Sequence, residues 1–210
     1  VIHGTFGEDG QLAALLENWD IPFVGSSSIA CDRAYHKHKA LAHLEAGNFP
    51  TIPWLCLEKG PIDQASLRRF WQENIDGQAV VKPVAGGSSI DVCLVSSLDA
   101  LLHTCTDLFS RHHALILQPF YSGTELTISL VQTDDDTLIS LPPTATKMLE
   151  GAQTIFSYRD KYLPSYSTHN TTPAPLPVDH LEEIATQSKA LFRHFDMRDC
   201  VRLDGWYDPE

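Results

Sequence analysis

The chain is poor in positive charge. Fifteen lysines and arginines stand against 27 acidic side chains, a net charge of −12 over 210 residues. Nucleic acid and anionic membranes reward clustered basic groups, so this balance argues against broad binding to either. No run reaches the roughly 18 apolar residues of a membrane-spanning helix, and no basic start followed by an apolar centre marks a cleavable signal. No C-x-x-C pair occurs. Cys31, Cys56, Cys93, Cys105 and Cys200 are odd in number and widely spaced, which fits reduced, mostly buried thiols in a cytoplasmic protein better than a disulfide frame. A starting methionine is missing too. Val1-Ile2 at one end and Asp208-Pro209-Glu210 at the other read as cut ends. What is present is ordinary for a globular fold. With 43% hydrophobic and 20% charged residues the chain is no disordered tail, and its length suits one large domain or two small ones.

Helical spacing recurs along the chain. Leu12, Leu15, Leu16 and Trp19 form an apolar stripe, and a second helix is expected over 29–46, stopped by Gly47. Leu67, Phe70, Trp71 and Asn74 suggest a third helix, and Leu98 to Phe109 a fourth. Leu181, Ile184, Ala185, Ser188, Leu191, Phe192 and Phe195 give the longest amphipathic pattern. Strands are expected over 79–83, 91–95, 115–118, 125–132, 138–141 and 200–207. Asp134-Asp135-Asp136 sits between two of these as a solvated hairpin turn, and 165–177 reads as loop. Antiparallel hairpins among alternating helices favour an α+β class.

The sharpest chemical signal is Lys82-Pro83-Val84-Ala85-Gly86-Gly87-Ser88-Ser89. A lysine at a strand end leads into a glycine/serine loop, whose N–H groups and hydroxyls suit phosphate while the lysine supplies a compact positive charge. It is not a Walker loop, because no Gly-Lys-Ser/Thr follows and a strand comes next. No spacing suggests a Ser/His/Asp or Cys/His nucleophile. His36, His38 and His43 lack the i, i+4 helical pair that a zinc site prefers.

Six motifs in a fixed order extend this. They are His3-Gly4-x-x-Gly7-Glu8-Asp9-Gly10, Pro22-Phe23-Val24-Gly25-Ser26, Lys82-Pro83-x-x-x-Gly87-Ser88-Ser89, Ser122-Gly123-x-Glu125-Leu126-Thr127, Tyr158-Arg159-Asp160-Lys161-Tyr162 and Arg202-Leu203-Asp204. Together they resemble the D-alanine–D-alanine ligases of the ATP-grasp superfamily over nearly the whole chain. The resemblance implies two α+β domains sandwiching ATP, with an α/β remnant at the N-terminus. Residues 1–25 would end an N-terminal Rossmann-like domain, 26–121 would form the central nucleotide-binding domain, and 122–210 a truncated C-terminal domain. The first strands and a final strand with Asn-Glu-x-Asn-like metal ligands would then be missing, leaving 1–210 alone inactive.

The resemblance also implies roles. Lys37 and Lys82 would contact ATP phosphates, Ser89 would lie in the lid over them, Gln118, Tyr121 and Glu125 would hold adenine and ribose, and Lys161 would belong to the nucleotide side. Ser88 and Tyr162 would orient substrate, with His3 near the first D-alanine. Arg202 would stabilise charge on the transferring phosphoryl group, and Asp204 would bind Mg2+ or Mn2+. The implied reaction joins two D-alanines through an acyl phosphate, for peptidoglycan precursor synthesis in the cytoplasm. Its partners would be small molecules, with neither nucleic acid nor membrane, and a homodimer is left open. Ligation of D-alanine to D-lactate or D-serine is one alternative reading; a non-catalytic nucleotide-binding module is another. The chain departs from the family pattern at His36 (usually Asp), Gly86 (a charged residue), Asp91 (Gly) and Gln118-Pro119 (Glu-Lys).

Overall fold

Apolar spacing separates helix from strand by period, but pairing decides the architecture. The computed structural model describes residues 4–121, 123–148 and 168–208. These divide into two compact units, Tyr35–Tyr121 and the remaining described residues.

In the first unit, β1 (Leu55–Glu58), β2 (Ala79–Pro83), β3 (Cys93–Val95) and β4 (Ala114–Pro119) form an antiparallel sheet of order β1-β4-β2-β3. Burial in β2 alternates: Ala79, Val81 and Pro83 are buried. Ala79 and Val81 join Leu57, Leu67, Leu101, Cys105, Leu108, Leu115 and Leu117 in one core. The helices on that face are α4 (Gln64–Asn74) and α5 (Leu98–Leu108). Each begins at a side-chain cap. The Asp63 carboxylate accepts from the Ala65 and Ser66 amides, and the Ser97 hydroxyl accepts from the Ala100 amide.

The second unit is built on a five-stranded antiparallel sheet. β5 (Thr124–Gln132) pairs with β6 (Leu138–Ser140), β7 (Thr144–Met148) and β9 (Cys200–Tyr207), and β7 pairs with β8 (Thr168–Thr171). Leu130, Leu138 and Phe192 form one buried cluster and Leu126, Ala145 and Ala174 another, both under α6 (Val178–His194). α1 (Gln11–Asn18) and α2 (Ser28–Tyr35) belong largely to this unit. The chain beside them is tied to the α6–β9 turn. The Gly25 amide donates to Asp199 at 2.6 Å, Arg198 Nε donates to the Gly25 carbonyl at 2.8 Å, and the Arg198 guanidinium lies 5.0 Å from the Phe23 ring centre.

The α+β class is as expected, with four local corrections. The single helix over 29–46 is two, α2 and α3 (Lys37–Ala46), with His36 extended between them at φ −89° and ψ 105°. The cause is an outside bond: the Lys37 amide donates to the Val84 carbonyl at 2.7 Å, so the helix restarts there. The segment read as loop over 165–177 contains β8, paired to β7 from Ala145↔Thr171 to Met148↔Thr168. β1 and β7 carry no strand signal of their own and exist through β4 and β5. The strand expected from Asp91 begins at Cys93, because Asp91 is in the left-handed region at φ 57°. The hairpin turn at Asp134-Asp135-Asp136 is present, closed by the Thr133 amide donating to the Thr137 carbonyl at 2.9 Å.

Candidate functional site

The alternation that buries Val81 turns Lys82 to the other face of its sheet. Register sets its neighbours there. Lys82 lies opposite Ile116 and Val80 opposite Gln118, so Lys82 and Gln118 share the face away from α4 and α5. Gln118 is only 4% exposed.

Lys37 comes to the same region through its backbone bond to Val84, and its Nζ donates to the Gly86 carbonyl at 2.7 Å. Burial, and then the charge of Lys82, bring the Lys37 amine down to about 8. Burial also pushes the Lys82 amine below its ordinary value. Among the described residues no carboxylate pairs with either amine. Two half-buried ammonium groups near one another repel, and a bound polyanion relieves both costs.

The loop from Val84 to Val92 connects β2 to β3 beside these lysines. The Ile90 amide donates to the Gly87 carbonyl at 3.2 Å across Ser88 and Ser89, whose φ values are 56° and 55°. Two positive φ values inside a four-residue turn are the type I′ pattern, which glycine and asparagine ordinarily supply. Here two serines occupy those positions. Asp91 follows, also left-handed, and its carboxylate meets His112 Nε2 at 2.6 Å and Arg111 Nη2 at 3.3 Å. Those contacts, the His112 bond first, hold the Asp91 carboxyl below its usual range.

The second unit presents a different set. The β5–β9 register places Thr127 opposite Asp204, Ser129 opposite Arg202 and Glu125 opposite Trp206. These six side chains share one face, while Leu126, Ile128, Leu130, Val201 and Leu203 take the other. Arg202 grips Asp204 as a fork, Nε to Oδ1 at 3.1 Å and Nη2 to Oδ2 at 2.9 Å, and Thr127 Oγ1 donates to Asp204 Oδ1 at 2.9 Å. Arg202 is 62% and Asp204 45% exposed. An ion pair that open contributes only about 0–1 kcal/mol to the fold.

Lys37, Lys82, Ser88, Ser89 and Gln118 thus gather in the first unit, with Tyr121 exposed just past the end of β4. Glu125, Arg202 and Asp204 gather on one sheet face in the second. His3, Lys161 and Tyr162 lie outside the described residues. Two contributors carried no role in the sequence reading. Thr127 was visible by alternation from Glu125. The Asp91–Arg111–His112 contact had no local signal, because it spans some twenty residues.

The description "D-ala D-ala ligase C-terminus" matches residues 44–210. A D-alanine–D-alanine ligase of Buchnera aphidicola subsp. Baizongia pistaciae is 29% identical over 186 residues, covering 87% of this chain and 56% of that protein. Vancomycin C-type resistance protein VanC1 of Enterococcus gallinarum is 28% identical over 207 residues, 97% of this chain and 57% of that protein. Among solved structures, the D-alanine–D-alanine ligase of Bacillus anthracis complexed with ATP shares the fold. Its TM-score is 0.78 at 22% identity, covering 99% of this chain and 62% of that one. The chain spans a little over half the length of these curated relatives. The two antiparallel α+β units are therefore those of an ATP-grasp fold, and the chain belongs to the D-alanine–D-alanine ligase C-terminal family.

Proposed function

We propose that the protein carrying this chain is an ATP-dependent ligase that joins two D-alanine molecules through an acyl phosphate, supplying the dipeptide for peptidoglycan precursors in the cytoplasm. The observation that carries the reading is the pair of half-buried amines, Lys37 and Lys82, which no carboxylate pairs among the described residues, beside a serine turn with left-handed backbone. Family membership supplies the substrate class. No helix among the described residues is long and apolar enough to cross a membrane.

In this reading Lys37 and Lys82 bind the nucleotide phosphates, and Ser89 caps them with its hydroxyl and amide. Gln118 and Tyr121 hold adenine, Glu125 accepts from the ribose hydroxyls, and Lys161 adds to the nucleotide side. Ser88, Tyr162 and His3 orient the first D-alanine, so that one of its carboxylate oxygens attacks the γ-phosphorus and ADP departs. The amine of the second D-alanine then attacks the acyl carbon, phosphate leaves, and the amine gives up a proton. No enzyme nucleophile is needed. Catalysis rests on positioning and on charge stabilisation, with Arg202 neutralising the transferring phosphoryl oxygens.

A divalent ion fits this donor set in part. Mg2+ commonly takes one or two carboxylates and completes its shell with phosphate and water. Asp204 is such a carboxylate, already oriented by Thr127 and Arg202. Among the described residues no three His, Cys, Asp or Glu side chains gather as a complete protein cage. Asp204 would hold the ion, which when bound offsets charge on the phosphates.

Within the same reaction class the alternative is a different second acceptor, D-serine or D-lactate in place of the second D-alanine. The full-length protein, given Mg2+, ATP and D-alanine, should release ADP and form D-alanyl-D-alanine. Preferential incorporation of D-serine or D-lactate in competition would replace the acceptor. Calorimetric absence of ATP binding would remove both the ligase and the nucleotide-module readings.

A further inference from the structure

The serine turn is held from both ends. At its start, Lys37 Nζ and the Lys37 amide bond the Gly86 and Val84 carbonyls. At its end, Asp91 reaches the segment between α5 and β4 through His112 at 2.6 Å and Arg111 at 3.3 Å. Arg111 is itself steadied by Asp107 at 3.0 Å, one helical turn earlier. Between these anchors, Ser88 and Ser89 keep φ values of 56° and 55°, and Asp91 one of 57°. Left-handed backbone is disfavoured for L-residues with a Cβ and persists only where the surroundings over-determine it. Nothing in Ser88 or Ser89 prefers this conformation as glycine would. No side chain other than Arg111 and His112 donates to Asp91 among the described residues.

We propose that Asp91, gripped by His112 and Arg111, is the positioning residue that keeps the Gly87–Ile90 turn in its left-handed form, presetting Ser88 and Ser89 to receive the phosphates of a nucleoside triphosphate. The proposal rests on the nucleotide reading above and adds a residue to it. Asp91 touches no ligand; it acts through the backbone of the turn. Asparagine tolerates the left-handed region and can accept from both partners, whereas alanine does neither.

The test compares Mg2+–ATP affinity by calorimetry in the full-length wild type, Asp91→Ala, Asp91→Asn and Lys82→Ala, with a melting temperature for each. Asp91→Ala should weaken binding about tenfold, the scale of one lost charge-assisted hydrogen bond network. Asp91→Asn should recover most of that loss. Melting temperatures should follow neither. A double variant, Arg111→Met with His112→Phe, removes the grip without touching the loop and should reproduce the loss even if Asp91→Ala fails to fold. Unchanged ATP affinity in that double variant, with Lys82→Ala weakened, overturns the positioning role alone. Unchanged affinity in Lys82→Ala overturns the nucleotide reading itself, and this proposal with it. Failure of Asp91→Asn to recover binding also overturns the proposal.

Discussion

The ammonium of Lys82 lies close enough to Lys37 that its charge, added to burial, brings the Lys37 amine to about 8. Two half-buried like charges near one another are a costly arrangement for folding alone. They make sense around a polyanion, whose charge lifts the penalty on both amines.

Nucleotide binding should therefore be linked to protonation of Lys37. The free amine titrates near 8, against 10.5 for an unperturbed lysine, and a bound triphosphate raises it again. At pH 7 Lys37 is mostly charged before binding, so little proton uptake is expected. By pH 9 it is mostly neutral, and binding must draw a proton. Affinity should fall about tenfold between pH 7 and pH 9. Calorimetry at pH 9 in buffers of different ionisation enthalpy should read close to one proton taken up. The effect should vanish in Lys37→Met. A flat affinity across that range would place Lys37 away from the phosphates.

Lys82→Ala and Arg202→Ala should each lower D-alanine-dependent ADP release in the full-length protein by about two decades or more, the usual scale for losing one transition-state charge contact. The two should differ in how they fail. Lys82 belongs to the ground-state phosphate site, so its loss should also weaken ATP binding. Arg202 should spare ATP binding and depress kcat. Its exposed pairing with Asp204 contributes about 1 kcal/mol or less, so melting should barely move. Near-normal turnover in either variant would end that residue's role.

The parts of this picture that were legible in the sequence are those set by local period. Lys82 and Arg202–Asp204 fall on strands whose alternation is visible, and Glu125 with Leu126 and Ile128 shows the same two-residue repeat. What escaped depends on partners far along the chain. β8 is threonine-rich and flanked by prolines, and only Ala145 to Met148 make it a strand. His36 divides what reads as one helix over 29–46, because Val84 captures the next amide. Asp91 looked like a mere departure from the family's glycine, and its reason lies in Arg111 and His112. Non-local hydrogen bonds leave no periodic trace.

Gly10→Ala should destabilise the protein sharply. Gly10 precedes α1 at φ 88°, and a Cβ there would stand 2.3 Å from the Ser28 carbonyl oxygen and 3.3 Å from the Asp32 amide nitrogen. The left-handed conformation and the clash act together, and the opposing atoms are helix backbone rather than a side chain that swings away. A loss of about 2–4 kcal/mol is expected, read by urea denaturation. A midpoint within error of wild type would mean that α1 and α2 can separate at little cost.

Gln118→Glu should sharpen selection for the adenine ring. Gln118 lies on the Lys82 face at 4% exposure, and Pro119 beside it has no backbone N–H to offer. An amide presents both an acceptor and a donor, so it can bond the 6-amino group of adenine through its oxygen or the 6-oxo group of hypoxanthine through its nitrogen. A carboxylate can only accept. It makes the stronger bond to the amino group and leaves the oxo group facing a like dipole. The wild type should bind ATP and ITP within a few-fold of each other. Gln118→Glu should widen the ratio about tenfold in favour of ATP, since hydrogen bonds to charged groups run about 1–1.5 kcal/mol stronger than neutral ones. Competition calorimetry with the two nucleotides measures it directly, and an unchanged ratio would show that residue 118 does not meet the base.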